Sequence, residues 1–249
     1  MCGIAGYTGQ GTRLQLEKAA QAIVRRGPDD VGFYEAEGVG FAFRRLSIID
    51  VEGGHQPLAN EDETIWVMLN GEIYNHLSLR EELTRLGHRF ATYSDTEVIV
   101  HGYEVWGEQV FTKLEGMFAI AIWDVSCRRL VLARDRMGKK PLYYTSCRES
   151  TWFASEPKAL LAAGVVSREI NLQALGLYFR TDTVPTPASI WQGVYKLPPA
   201  TYLVAQEGSI GQPVPFWRLS APLRRDCSPT EAVDLLRTTI DQAVADRLI

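Results

Sequence analysis

The chain has 249 residues, 46% of them hydrophobic and 22% charged, a composition that suits a globular protein with a sizeable core in one large domain or two small ones. Its formal net charge of −4 and isoelectric point of about 5.7 argue against nucleic acid or an anionic membrane surface as the main partner. No stretch approaches the ~18 apolar residues of a membrane span, and the first residues lack the basic-then-apolar pattern of a secretory signal.

Residues 4–8 read as a short strand, and residues 14–24 as an amphipathic helix with Leu16, Ala19, Ala20 and Ile23 on its apolar face. Arg26 to Asp30 contains Gly27 and Pro28 and reads as a turn. Residues 32–34 and 39–49 are expected to pair as strands around Glu37-Gly38, and residues 65–69 form a buried strand ending in a turn at Asn70-Gly71. Two helices follow. The first covers 75–86, with Leu79, Leu83 and Leu86 on one face and Gly87 as its stop; the second opens at Asp95-Thr96-Glu97 and runs to Trp106. Strands return at 118–123, 130–133 and 142–144, then short helices at 156–163 and 171–179, then an extended segment over 194–204. Ser228-Pro229-Thr230-Glu231 is a capping box with Pro at the first helical position. After it Val233, Leu236, Ile240, Val244 and Leu248 recur at helical spacing up to the last residue, so more sequence is expected beyond. Blocks of strands separated by helices, without βαβ alternation, favour sheets with helices packed outside them.

Five segments carry possible chemistry. Cys2 stands directly after Met1. Removal of Met1 would leave one residue holding a thiol nucleophile and an α-amine that titrates near pH ~8, a built-in base; a cysteine near the start by accident is the plain alternative. Asn70 and Gly71 offer a side-chain and a backbone N–H to one developing negative charge, or make an ordinary turn. Of Arg44 and Arg45, strand alternation turns one inward, either to an internal salt bridge or to a ligand carboxylate. Asp95 caps a helix or binds an ammonium group. The basic run Arg134 to Lys140 reads as a structural turn with internal ion pairs. The other thiols, Cys127, Cys147 and Cys227, read as bystanders, and the absence of a cysteine framework suits a reducing cytoplasm. His55, His76, His88 and His101 are scattered, so no metal site is expected.

In order and spacing, these segments resemble the N-terminal glutaminase domain of glutamine-hydrolysing asparagine synthetases, a class II, N-terminal-nucleophile glutamine amidotransferase. The resemblance rests on Cys2-Gly3-Ile4, Arg26 to Asp29, Arg45 to Asp50, Gln56-Pro57, Asn70 to Asn75, Ser94 to Glu97, Gly116 to Phe118, Ala133 to Asp135, Pro141 to Tyr143 and Ala154 to Glu156. It implies an α+β fold, a four-layer αββα sandwich of two mainly antiparallel sheets flanked by helices. It also implies L-glutamine as substrate, with Cys2 as nucleophile, Asn70 and Gly71 as oxyanion hole, Arg45 on the α-carboxylate, and Glu72 and Asp95 at the amino-acid end. This half needs no cofactor; ATP and Mg are expected only on a synthetase domain, or a partner protein, that receives the ammonia. Residues 2–220 are expected to form the glutaminase domain and 228–249 to begin that synthetase portion; a homo-oligomer is compatible. Two other readings share the pattern: an amidotransferase serving a natural-product or sugar-acid acceptor, and a non-catalytic module, against which Cys2 itself argues. Phe43 stands where many members carry His, and Lys139 where an apolar residue is usual.

Overall fold

The computed structural model describes residues 2–47, 53–206, 209–220 and 227–248. The expected strand end at residues 48–49 and the tail of the Arg45 to Asp50 segment lie outside them. Two sheets form the centre. In one, β1 (Gly3–Thr8), β2 (Asp30–Ala36), β3 (Val39–Arg45), β8 (Tyr143–Cys147), β9 (Ser150–Ala154) and β10 (Tyr195–Lys196) lie in the order β10-β8-β9-β1-β3-β2. The other contains β4 (Leu58–Ala59), β5 (Ile65–Ile73), β6 (Gly116–Asp124), β7 (Arg129–Arg134), β11 (Thr201–Gln206) and β12 (Ser209–Ile210), in the order β12-β11-β7-β6-β5-β4, with β13 (Val214–Pro215) also paired to β11. Every pairing is antiparallel.

Helices cover the outer faces. The side chains of α1 (Arg13–Ala22) and α5 (Pro157–Ala162) pack on the first sheet around Tyr7, Trp152 and Leu160. Those of α2 (His76–Arg85), α3 (Glu97–Trp106) and α4 (Val110–Lys113) pack on the second around Leu83, Ile99 and Phe111. Between the sheets lies a third apolar layer with Ile4, Phe41, Phe43, Met68, Leu132 and Phe153. The result is the expected αββα sandwich. Period-two alternation drives it: Val67 and Leu69 of β5 face the helices, while Met68 faces the other sheet. Phe43 is fully buried in that inter-sheet layer and pairs with Ile4, so its ring fills core volume.

Most expected elements appear within a few residues. Leu16, Ala19, Ala20 and Ile23 are all buried, and Thr12 adds a capping box with Gln15. Three expectations change. The strand ending at Leu69 continues through Asn70 and Gly71 to Ile73, because β6 stays paired along its whole length. Leu86, at the frayed end of α2, is 55% exposed while Leu79 and Leu83 are buried. The turn at 134–140 is held by hydrogen bonds to backbone, with no ion pair to it among the described residues: the Asp135 carboxylate accepts the N–H groups of Phe118, Met137, Lys139 and Lys140 at 2.9–3.2 Å, and Arg134 donates to the carbonyls of Gly138, Lys140 and Leu197.

The last two helices, α6 (Leu172–Thr181) and α7 (Pro229–Ala245), stand apart from this core. The expected capping box of α7 is present, with Ser228 and Glu231 bonding reciprocally, yet none of its residues is buried. No helix among the described residues is long and apolar enough to cross a membrane.

Candidate active site

Cys2 sits immediately before β1. Arg26 holds it there: its Nε donates to the Cys2 carbonyl at 2.9 Å, while Nη1 reaches Glu156 at 3.0 Å. One step along β1, the Ile4 N–H donates to Ser155 Oγ and the Ser155 N–H returns to the Ile4 carbonyl. The segments around residues 26 and 155 thus brace the cysteine from two sides. Gly27 is required for this, since a Cβ there would lie 2.3 Å from the Arg44 main chain.

A pocket opens beside Cys2, lined also by Arg45, Gln56, Gly71, Glu72, Ser94, Asp95 and Lys140. Five of the six residues singled out from sequence therefore share one wall system. Of the arginine pair, Arg44 turns to α1, donating to the Ala20 carbonyl and the Gln21 side chain, and Arg45 takes the buried pocket side. Strand alternation separates them as expected. Asp29 secures that end of β3: its N–H donates to the Arg45 carbonyl and its carboxylate accepts the Ser47 N–H.

Asn70 is the sixth. Its place in β5, between pocket-lining Leu69 and Gly71, turns it towards the inter-sheet layer against which Cys2 packs. It is fully buried, and neither its Nδ2 nor its Oδ1 has a hydrogen-bond partner. Gly71 answers to a close approach: a Cβ there would come within 2.2 Å of the Met117 carbonyl oxygen.

Asp95 does not cap α3. Its carboxylate reaches across to β5 and accepts the Ile73 N–H at 2.9 Å, and the α3 N-terminus has no side-chain cap. Burial pushes the Asp95 carboxyl above its ordinary range, against the Ile73 hydrogen bond, and the Glu72 charge pushes the same way. Burial also raises the Cys2 thiol, with the charges of Arg45 and Lys140 opposing it. The pocket thus gathers two basic side chains, Arg45 and Lys140, and two acidic ones, Glu72 and Asp95.

Lys140 was not picked out as a pocket residue from sequence. It is 5% exposed, and burial lowers its ammonium pKa while Glu72 supports the charge. Only the turn wrapped around Asp135 delivers it to the pocket, so its two-lysine context gave the sole hint. Gln56 was missed for a different reason: its side chain ties β5 to α3, accepting from the Leu69 N–H and donating to Thr96 Oγ1.

Residues 1–217 match the family model described as a glutamine amidotransferase domain. The chain is 44% identical over 218 residues to the glutamine-hydrolysing asparagine synthetase 1 of Bacillus subtilis (strain 168), covering 84% of this chain and 34% of that protein. Asparagine synthetase 3 of the same organism is 34% identical and is covered to 42% of its length, so the chain spans about a third to two-fifths of these relatives. Among solved structures, the glutamine phosphoribosylpyrophosphate amidotransferase of Bacillus subtilis superposes with a TM-score of 0.63 over 87% of this chain and 49% of that one, at 18% identity, a likeness of fold. The same two-sheet sandwich, a cysteine immediately before its central strand and a family match across seven-eighths of the sequence converge: the chain belongs to the glutamine amidotransferase domain family.

Proposed function

We propose that this chain hydrolyses L-glutamine to glutamate and ammonia at Cys2, and that the ammonia passes to an ATP-activated carboxylate on a synthetase domain or partner outside residues 2–220. The observation that carries this reading is a pocket that joins Cys2 to Arg45, Glu72 and Asp95, with the buried, unpartnered amide of Asn70 next in the chain to pocket-lining Gly71. A free α-amino acid presents a carboxylate and an ammonium a few ångströms apart. Arg45 suits the first by its planar fork, and Asp95 with Glu72 suits the second. The glutamine side chain then extends to Cys2.

Removal of Met1 exposes the α-amine of Cys2. That amine takes the thiol proton as sulfur attacks the side-chain carbonyl carbon. The carbonyl π electrons move onto oxygen, where Asn70 Nδ2–H and the Gly71 region meet the developing charge. Collapse expels ammonia, which leaves with the proton held by the amine. Water then attacks the thioester, the amine again acting as base, and releases glutamate and the thiol. Because burial raises the resting thiol pKa, a proton acceptor at the same residue matters more than a standing thiolate.

Residues 228–249 are the proposed first segment of the synthetase portion, in keeping with the family match ending at 217. A nucleophile that must stay reduced suits the cytoplasm. The test is glutamate release by protein whose intact mass shows Met1 removed. Turnover is expected there, and is expected to vanish in Cys2→Ala and in protein retaining Met1. Processed protein that releases no glutamate, even with a synthetase partner added, would overturn the reading.

A further inference from the structure

His88, His101 and Glu104 converge on the outer face of the second sheet, away from the residues lining the glutamine pocket. His101 and Glu104 lie one turn apart on α3, and His88 follows the end of α2, where its N–H donates to the Leu83 carbonyl. Glu104 Oε2 lies 2.7 Å from His101 Nδ1 and 3.4 Å from His88 Nδ1. One donor atom from each residue lies within 4.8 Å of the others. We propose that these three side chains form a binding site for a divalent transition metal of the zinc class, with water completing the shell.

The donor set is chemically apt. Two imidazole nitrogens and one carboxylate oxygen, with an open fourth position, suit zinc, whose bonds to such ligands run about 2.0–2.2 Å. Ligands of a tetrahedral ion then stand about 3.3 Å apart, so the His88–Glu104 pair at 3.4 Å already fits, the His101–Glu104 pair at 2.7 Å must open, and the two imidazole nitrogens, within 4.8 Å of each other, must draw together. His88, 21% exposed in its side chain and outside any helix, is the ligand with freedom to supply that movement.

The surroundings orient the ligands as metal ligands are oriented. Glu104 Oε1 accepts from Asn60 Nδ2 at 2.8 Å, leaving Oε2 for the cluster. The far nitrogen of His101 faces Glu97 Oε1 at 3.8 Å, longer than a hydrogen bond but in the carboxylate–imidazole–metal order found around metal ligands. Phe90 packs edge-on against the His101 ring at 4.8 Å. Among the described residues no Lys or Arg lies within ion-pair distance of Glu97 or Glu104. A bound cation or a protonated imidazole supplies positive charge beside these carboxylates, and the two compete for the same nitrogens. Glu97 also accepts the N–H groups of Ala91 and Thr92, three residues before the pocket side chains of Ser94 and Asp95, so an ion here would brace the loop leading to the glutamine pocket.

The probe is the full chain, stripped with a chelator and titrated with Zn²⁺ by calorimetry and Co²⁺ by visible spectroscopy. One equivalent is expected at micromolar affinity or tighter, with tetrahedral Co²⁺ bands but no thiolate charge-transfer band, which separates this site from Cys2 and the other thiols. His88→Ala and Glu104→Gln, checked for native circular dichroism, are expected to weaken binding at least ~10-fold and to abolish the rise in melting temperature that zinc gives the parent chain. If the parent takes up no zinc at micromolar concentration, or if both variants titrate like the parent, the cluster binds only protons and the proposal fails.

Discussion

Because both polar atoms of Asn70 are buried without a partner, the resting fold carries a desolvation penalty there of roughly 1–3 kcal/mol. Core asparagines that serve only structure are hydrogen-bonded. An unpaired amide facing the layer against which Cys2 packs makes sense as a preorganised donor whose partner arrives with the reaction. This gives Asn70→Ala an uncommon signature. Loss of an oxyanion donor should lower kcat by ~10²–10³ with a much smaller change in KM. Stability should not fall with it, because truncation breaks no hydrogen bond and removes the buried polar group. Parallel steady-state kinetics and thermal melts check both halves. A melting temperature that drops by several degrees would show that Asn70 supports the fold, and an unchanged kcat would remove it from the chemistry.

The turn after β7 shows how one carboxylate can shape a segment. Asp135, 1% exposed, gathers four backbone N–H groups, and Arg134 beside it gathers three carbonyls. Asp135→Ala would strand several buried donors at once, each costing about 1–3 kcal/mol. A loss of about 3 kcal/mol or more is expected in the denaturant midpoint, together with weaker glutamine binding as Lys140 leaves the pocket; a midpoint within about 0.5 kcal/mol of the parent would show that water replaces the carboxylate without penalty. The same turn marks where reading the sequence runs out. Periodicity located the helices well, since Leu16, Ile23 and Leu83 sit at fixed steps on one face. It could not say that Arg134 and Asp135, at the start of this charged turn, would satisfy backbone instead of pairing with charged neighbours, because that depends on how the chain folds back on itself. Asn70-Gly71 misled in the opposite way. The dipeptide favours turns in isolation, but unbroken pairing with β6 outweighs that local preference, and Gly71 is there because Met117 leaves no room for a Cβ. The pocket was legible through residue types in order; Lys140 and the His88–His101 encounter were not, since they depend on tertiary packing between segments far apart or on opposite sides of a turn.

Among the described residues, the three apolar clusters are built without a residue of α7. Its apolar positions Val233, Leu236, Ile240 and Val244 remain 52–59% exposed, and its tie to the body includes Arg247 over the Tyr74 ring at 4.8 Å. α6 likewise exposes Leu172 and Phe179, each at 77%. A helix that shows an apolar stripe to solvent gains little from the domain it is attached to. Since the chain spans only a third to two-fifths of its asparagine synthetase relatives, the α7 stripe fits the proposal that residues beyond 220 belong to the synthetase portion. The catalytic unit should then be separable. Deletion of residues 221–249 is expected to leave the melting temperature within a few degrees of the full chain, a range that corresponds to about 1 kcal/mol for a domain of this size. The glutaminase rate should stay within about twofold, under half a kcal/mol in activation free energy, and solubility should rise as the exposed stripe is lost. Circular dichroism melts, glutamate release and light scattering on the two proteins measure these effects. A truncated protein that unfolds, or that keeps its fold but loses turnover, would place part of residues 221–249 within the catalytic unit and overturn a boundary near residue 220.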